Sequence, residues 1–102
     1  MSNLVNLKKL RLSGLEIKNI DPIKYLVNLE QLIMYSMYYI SDFWPLSYLG
    51  NLKVLDISGI NLKGLNQIKG LIKMENLNLS GNKDLIDISP LSNLVNLKKL
   101  NI

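Results

Sequence analysis

Asp84 and Asp87 lie three residues apart, close enough to raise the question of a shared divalent cation. Nothing else in the sequence completes such a site. The 102 residues include no His and no Cys, which removes imidazole bases, thiol nucleophiles and most zinc sites. Ser13, Ser58 and Ser80 recur without any recognisable base beside them. Gly14, Gly59 and Gly81 stand singly at turns and do not compose a G-x-G-x-x-G phosphate loop. They supply turn conformations closed to other residues. The expectation is a chain with no enzyme activity, cofactor or metal.

Phosphate binding fares no better. Lys8, Lys9, Arg11, Lys98 and Lys99 make both ends of the chain basic, but Glu30, Asp56 and Glu75 interrupt any continuous phosphate track. A net charge of +4 permits acidic partners without demanding them. No nucleic acid is expected.

Recognition chemistry is another matter. The stretch IMYSMYYISDFWPL, residues 33–46, holds five of the seven aromatic residues: Tyr35, Tyr38, Tyr39, Phe43 and Trp44. Such rings either fill a core or anchor an interface, and the register of the chain decides between the two.

That register is periodic. Asn-Leu or its equivalent recurs at residues 6–7, 28–29, 51–52, 73–74 and 96–97, at spacings of 22, 23, 22 and 23. The chain reads as one array over residues 1–102, with units 6–27, 28–50, 51–72 and 73–95, a partial unit 96–102, and no recognisable caps. Leu7, Leu10 and Leu12 match Leu29, Leu32 and Met34, then Leu52, Leu55 and Ile57, then Met74, Leu77 and Leu79. Alternation across Leu10-Arg11-Leu12 is that of a strand with one buried face. Pro22, Pro45 and Pro90 fall in the return limb, where proline blocks both a strand ladder and a helix interior. Short 3₁₀ or extended segments are predicted there.

This pattern resembles the leucine-rich repeat, L-x-x-L-x-L-x-x-N-x-L. The return limbs IKNIDPIKYL, ISDFWPLSYL and LIDISPLSNL are most similar to the 22-residue class of bacterial internalins. The resemblance implies an α/β-type repeat solenoid: a right-handed coil with a short-stranded parallel sheet on the concave face and 3₁₀ or extended segments on the convex face. The sequence departs from the repeat after the strand. The family's Asn is replaced by Leu15, Met37 and Ile60, and only Asn82 keeps it. Serines, water or an altered turn must then satisfy the backbone there.

In this frame Phe43 aligns with Ile20, Leu65 and Ile88 and reads as core, as do Met37 and Ile40. Trp44 aligns with Asp21, Asn66 and Ser89 at the outer surface, either folded over Pro45 or exposed as an anchor. Tyr48 aligns with Tyr25 on the convex side. Asp87 aligns with Asn19, Asp42 and Gly64 on an outer turn, so the Asp84–Asp87 pair reads as solvated carboxylates.

The concave rows are Lys9, Gln31, Val54, Asn76, Lys99, then Arg11, Ile33, Asp56, Asn78, Asn101, then Ser13, Tyr35, Ser58, Ser80. Ile33, Tyr35 and Val54 form an apolar island on this otherwise polar face, with Arg11 and Asp56 beside it and Tyr38 on the rim. The expected role is a non-enzymatic module binding a protein partner through these six residues. The alternative is a structural, self-associating segment of a larger protein, or a designed array. Head-to-tail self-association is expected from the apolar ends, and SNLVNLKKL occurs identically at residues 2–10 and 92–100. No membrane span and no signal peptide are visible. A complete chain would then be cytoplasmic, and one cut from a longer protein would be secreted or surface-bound.

Overall fold

Each coil begins with a leucine or, in the fourth, Met74, and with an alternation that can bury only one side of a strand, so the chain stacks coil on coil. The computed structural model describes residues 2–13 and 16–102. Gly14 and Leu15, two of the turn positions read from the sequence, lie outside those residues. Strands β1 (Lys9–Ser13), β2 (Gln31–Tyr35), β3 (Val54–Asp56), β4 (Asn76–Asn78) and β5 (Lys99–Asn101) form a parallel sheet in sequence order. The register is in phase throughout: Leu10, Leu32, Leu55, Leu77 and Leu100 pair across adjacent strands. In β2, Leu32 and Met34 are buried, Gln31 and Ile33 half-buried, and Tyr35 exposed, which is the period-two pattern of a sheet with one covered face.

The core is a column of equivalent side chains. Leu29, Leu52 and Met74 open the coils, Met34 lies within β2 while its equivalents Ile57 and Leu79 directly follow β3 and β4, and all six are buried. Phe43, Met37 and Ile40 are buried as their alignment predicts. Ile88 is not. It shares the Phe43 position but is exposed, because no coil among the described residues lies beyond the fourth return limb.

The return limbs carry the 3₁₀ segments Asp21–Tyr25, Trp44–Tyr48, Asn66–Ile68 and Ser89–Asn93. Pro22, Pro45 and Pro90 occupy the second position of three of them, where the missing N–H costs no hydrogen bond. In the same three, a side-chain carbonyl or carboxylate two residues ahead accepts the first N–H. Asn19 Oδ1 takes Asp21 N–H at 2.8 Å, Asp42 takes Trp44 at 2.9 Å, and Asp87 takes Ser89 at 2.9 Å. The third limb has Gly64 and Gln67 at these two places, and its 3₁₀ segment is only three residues long. Tyr25 and Tyr48 are exposed on this side of neighbouring coils, with the Lys24 ammonium 5.3 Å from the Tyr25 ring centre.

A second ladder explains the recurring Asn-Leu pair. Asn28 Nδ2 donates to the Val5 carbonyl, Asn51 to Val27 and Asn96 to Ile72, each at 2.9 Å and each reaching back one coil. Lys73 stands at the fourth such position and donates instead to Asn51 Oδ1 at 2.8 Å.

Candidate functional site

Four of the six residues read from the sequence as a binding surface share one area of the strand face. Parallel pairing sets Arg11 beside Ile33 and Ile33 beside Asp56, and it sets Gln31 beside Val54. Neighbouring strands are about 4.8 Å apart, so these side chains form an unbroken patch. A depression of about 340 Å³ runs over β2 to β5, lined by Ile33, Val54, Asp56, Asn76, Asn78 and Lys99. A second, of about 270 Å³, is lined by Lys9, Arg11, Gln31 and Ile33. Ile33 belongs to both and forms the ridge between them.

Tyr35 closes β2 opposite Ser13 and is exposed, at the edge of the patch and outside both depressions. Tyr38 is not part of the patch. It lines a different cavity, beyond the turn, with Tyr39 and Trp44.

Asp56 has internal partners. Its Oδ1 accepts the Ser58 N–H at 3.0 Å, and its Oδ2 accepts from Asn78 Nδ2 at 3.4 Å. Asn78 repeats the first bond with Ser80 at 3.0 Å. The carboxylate thus caps its own turn while its charge faces the strand surface beside Ile33. Ahead of the strands, Lys8, Glu30, Lys53, Glu75 and Lys98 stand in a row, and the backbone N–H of each of the last four donates to the carbonyl of the one before it at 2.8 Å. Lys8 and Glu30 approach to 3.9 Å and Lys98 and Glu75 to 3.8 Å.

The turn after the strand replaces the family's Asn in an unanticipated way. Asn82 is buried and serves two coils at once. Its Nδ2 donates to Leu79 O and to Ile57 O, both at 2.9 Å, while its Oδ1 accepts from Ile60 N at 3.1 Å and Leu62 N at 2.9 Å. The apolar Ile60 therefore leaves no turn amide stranded, since the next coil supplies the bond. One turn back, Ser36 N donates to Ser58 O at 3.3 Å and Gly59 N to Ser80 O at 2.9 Å.

The cavity at Tyr38 was not legible as a site. It has about 340 Å³ and lies where residues 38–44 of the second coil meet residues 61–67 of the third. The signal was present in the unit lengths. The second coil spans Met37 to Ile40 with two residues, Tyr38 and Tyr39, where the third spans Ile60 to Leu62 with Asn61 alone. Among the described residues, no cluster of three or more His, Cys, Asp or Glu side chains is placed to hold a metal ion.

No protein-family model matches the sequence, and no curated protein is similar to it at a level that shows relatedness. Solved structures are similar. Over 98% of its length the chain superposes on internalin C2 of Listeria monocytogenes, with a TM-score of 0.70 and 26% identity. Over 97% it superposes on an internalin (InlF) of the same organism, with a TM-score of 0.69 and 30% identity. The chain spans 53% of the first structure and 35% of the second. Both neighbours are leucine-rich-repeat proteins.

Proposed function

We propose, from the premise that this chain is a leucine-rich-repeat solenoid of the kind found in internalins, that it is a non-enzymatic module binding a protein partner through its strand face. One observation supports this above the rest. Ile33 and Val54 are incompletely covered on a sheet surface whose other members are Lys, Arg, Gln, Asn and Asp. Apolar contact ringed by polar groups is the anatomy of an interface centre, and exposed Tyr35 extends it. Arg11 and Asp56 lie on opposite sides of Ile33 and orient a partner by charge. For a protein captured by the immobilised chain, Tyr35→Ala and Ile33→Ser each weaken binding by more than about 1 kcal/mol with unchanged circular dichroism. Unchanged affinity for both variants overturns the strand-face reading.

A second reading, self-association, rests on the far end of the array. Ile86, Leu100 and Ile102 are exposed there, and Leu4 and Val5 are exposed at the other end. Contact between those ends buries apolar surface, but it brings Lys98 and Lys99 towards Lys8 and Lys9 of the next copy. Added salt screens that repulsion, so sedimentation should show larger species at high protein concentration and more of them at high ionic strength. A monomer under all conditions overturns it.

A further inference from the structure

The cavity between the second and third coils is separate from the strand face and independent of the reading above. Its rings are unusual for their positions. Trp44 stands where the other coils have Asp21, Asn66 and Ser89, and Tyr38 where they have Glu16 and Asn61. Trp44, Tyr39 and Tyr38 are 57%, 59% and 61% exposed, around an opening of about 340 Å³. Three large rings on one flank of a small domain bury little of their apolar surface until something covers them.

The polar groups beside them point to what does. Asn61, Lys63 and Gln67 line the opposite side, on the shorter coil. Counted with the two phenols and the indole N–H, the site is rich in donors, and no carboxylate is among its lining residues. A complementary ligand presents rigid apolar faces to the rings and hydrogen-bond acceptors to the donors beside them. A polyproline II segment has this chemistry. Its pyrrolidine rings are rigid and apolar, its prolines have no N–H, and its carbonyls make no internal hydrogen bonds. It is also extended before it binds, so little conformational entropy is lost on docking between aromatic side chains. The single cation, Lys63, favours an acidic residue beside the prolines.

We propose that this aromatic notch binds a proline-rich peptide in the polyproline II conformation, flanked by an acidic residue. Trp44 is the sole tryptophan of the chain, so its fluorescence reports on the site directly. The full chain would be titrated with a proline decamer carrying one glutamate near its end. The expected result is a saturable change in emission. Tyr39→Ala and Lys63→Glu should each weaken it at least tenfold, while Tyr35→Ala on the strand face leaves it unchanged. Both notch variants change exposed side chains, and circular dichroism confirms that they fold. The proposal is overturned if the decamer gives no saturable signal, if an alanine decamer with the same glutamate gives an equal one, or if neither notch variant weakens it. A saturable response to a neutral oligosaccharide with none to the decamer overturns it too, and assigns the rings to a sugar.

Discussion

The Asn82 amide, in the fourth coil, donates to the carbonyl of Ile57 in the third at 2.9 Å. With its three other bonds it satisfies two turns from one buried side chain. Asn82→Leu would match the apolar residues of the other coils in shape and would strand two amides and two carbonyls. Each buried unsatisfied group costs on the order of 1–3 kcal/mol, and partial access of water lowers the sum. A loss of roughly 2–4 kcal/mol in urea unfolding is expected, and a loss below that of a surface substitution would contradict the bond pattern.

Ser36 occupies the left-handed region, at φ 56°, where the following coils have Gly59 at φ 59° and Gly81 at φ 75°. Left-handed backbone costs a side-chain-bearing residue about 1–2 kcal/mol, and the extra freedom of glycine in the unfolded chain takes back about half. Ser36→Gly should therefore raise the melting temperature slightly. Gly81→Ala should lower it, since a side chain there would have to adopt the left-handed backbone at φ 75°. Thermal melts showing the opposite order would refute the assignment of strain.

Leu55 is wholly buried in the middle strand, whereas Leu100, its equivalent in β5, is 40% exposed. Leu55→Ala should cost roughly 2–5 kcal/mol. Leu100→Ala should cost well under half of that. Equal losses would mean that the array is covered at its end in solution.

The Asp87 carboxyl is held below the usual carboxylate range, first by the Ser89 backbone N–H and then by the Ser89 hydroxyl. A carboxyl whose folded value is depressed adds stability above its unfolded pKa, and that contribution is lost as pH falls through the folded value. Asp87→Asn keeps an acceptor, as Asn19 does in the first coil, but has nothing to titrate. Melting curves from neutral to acid pH should therefore show the advantage of the wild type shrinking below about pH 4. A gap that stays constant would remove Asp87 from the acid response.

What could be read beforehand follows from how far apart in sequence the partners lie. The column Leu10, Leu32, Leu55, Leu77 was visible because burial repeats with the strand and the coil, and both periods can be counted. The Asn-Leu pair was visible as a marker but not as a bond, since Asn51 meets Val27 only once the coils are stacked. The strand rows placed Ile33, Val54, Arg11 and Asp56 together because side chains alternate along a strand. Tyr38, read as rim just past the turn, lines a cavity there with Tyr39 and Trp44, which the strand alternation, ending at Tyr35, could not foretell. The internal bonds of Asp56 were equally hidden, since a carboxylate on a strand looks the same whether or not it caps a turn.

The row Lys8, Glu30, Lys53, Glu75, Lys98 has a consequence for how such an array changes length. Excising residues 28–50 alone would preserve every apolar column, and Asn51 would reach Val5 in place of Asn28. It would also set Lys53 beside Lys8, like charge against like. Excising residues 28–72 would set Glu75 beside Lys8 and restore the alternation. Coil lengths follow the same parity, 22 then 23, so the period that conserves both charge and geometry is a pair of coils spanning 45 residues. The identical segments at residues 2–10 and 92–100 lie two such pairs apart. In electrostatic terms the single coil is a half-unit, and the molecule is an array of doublets.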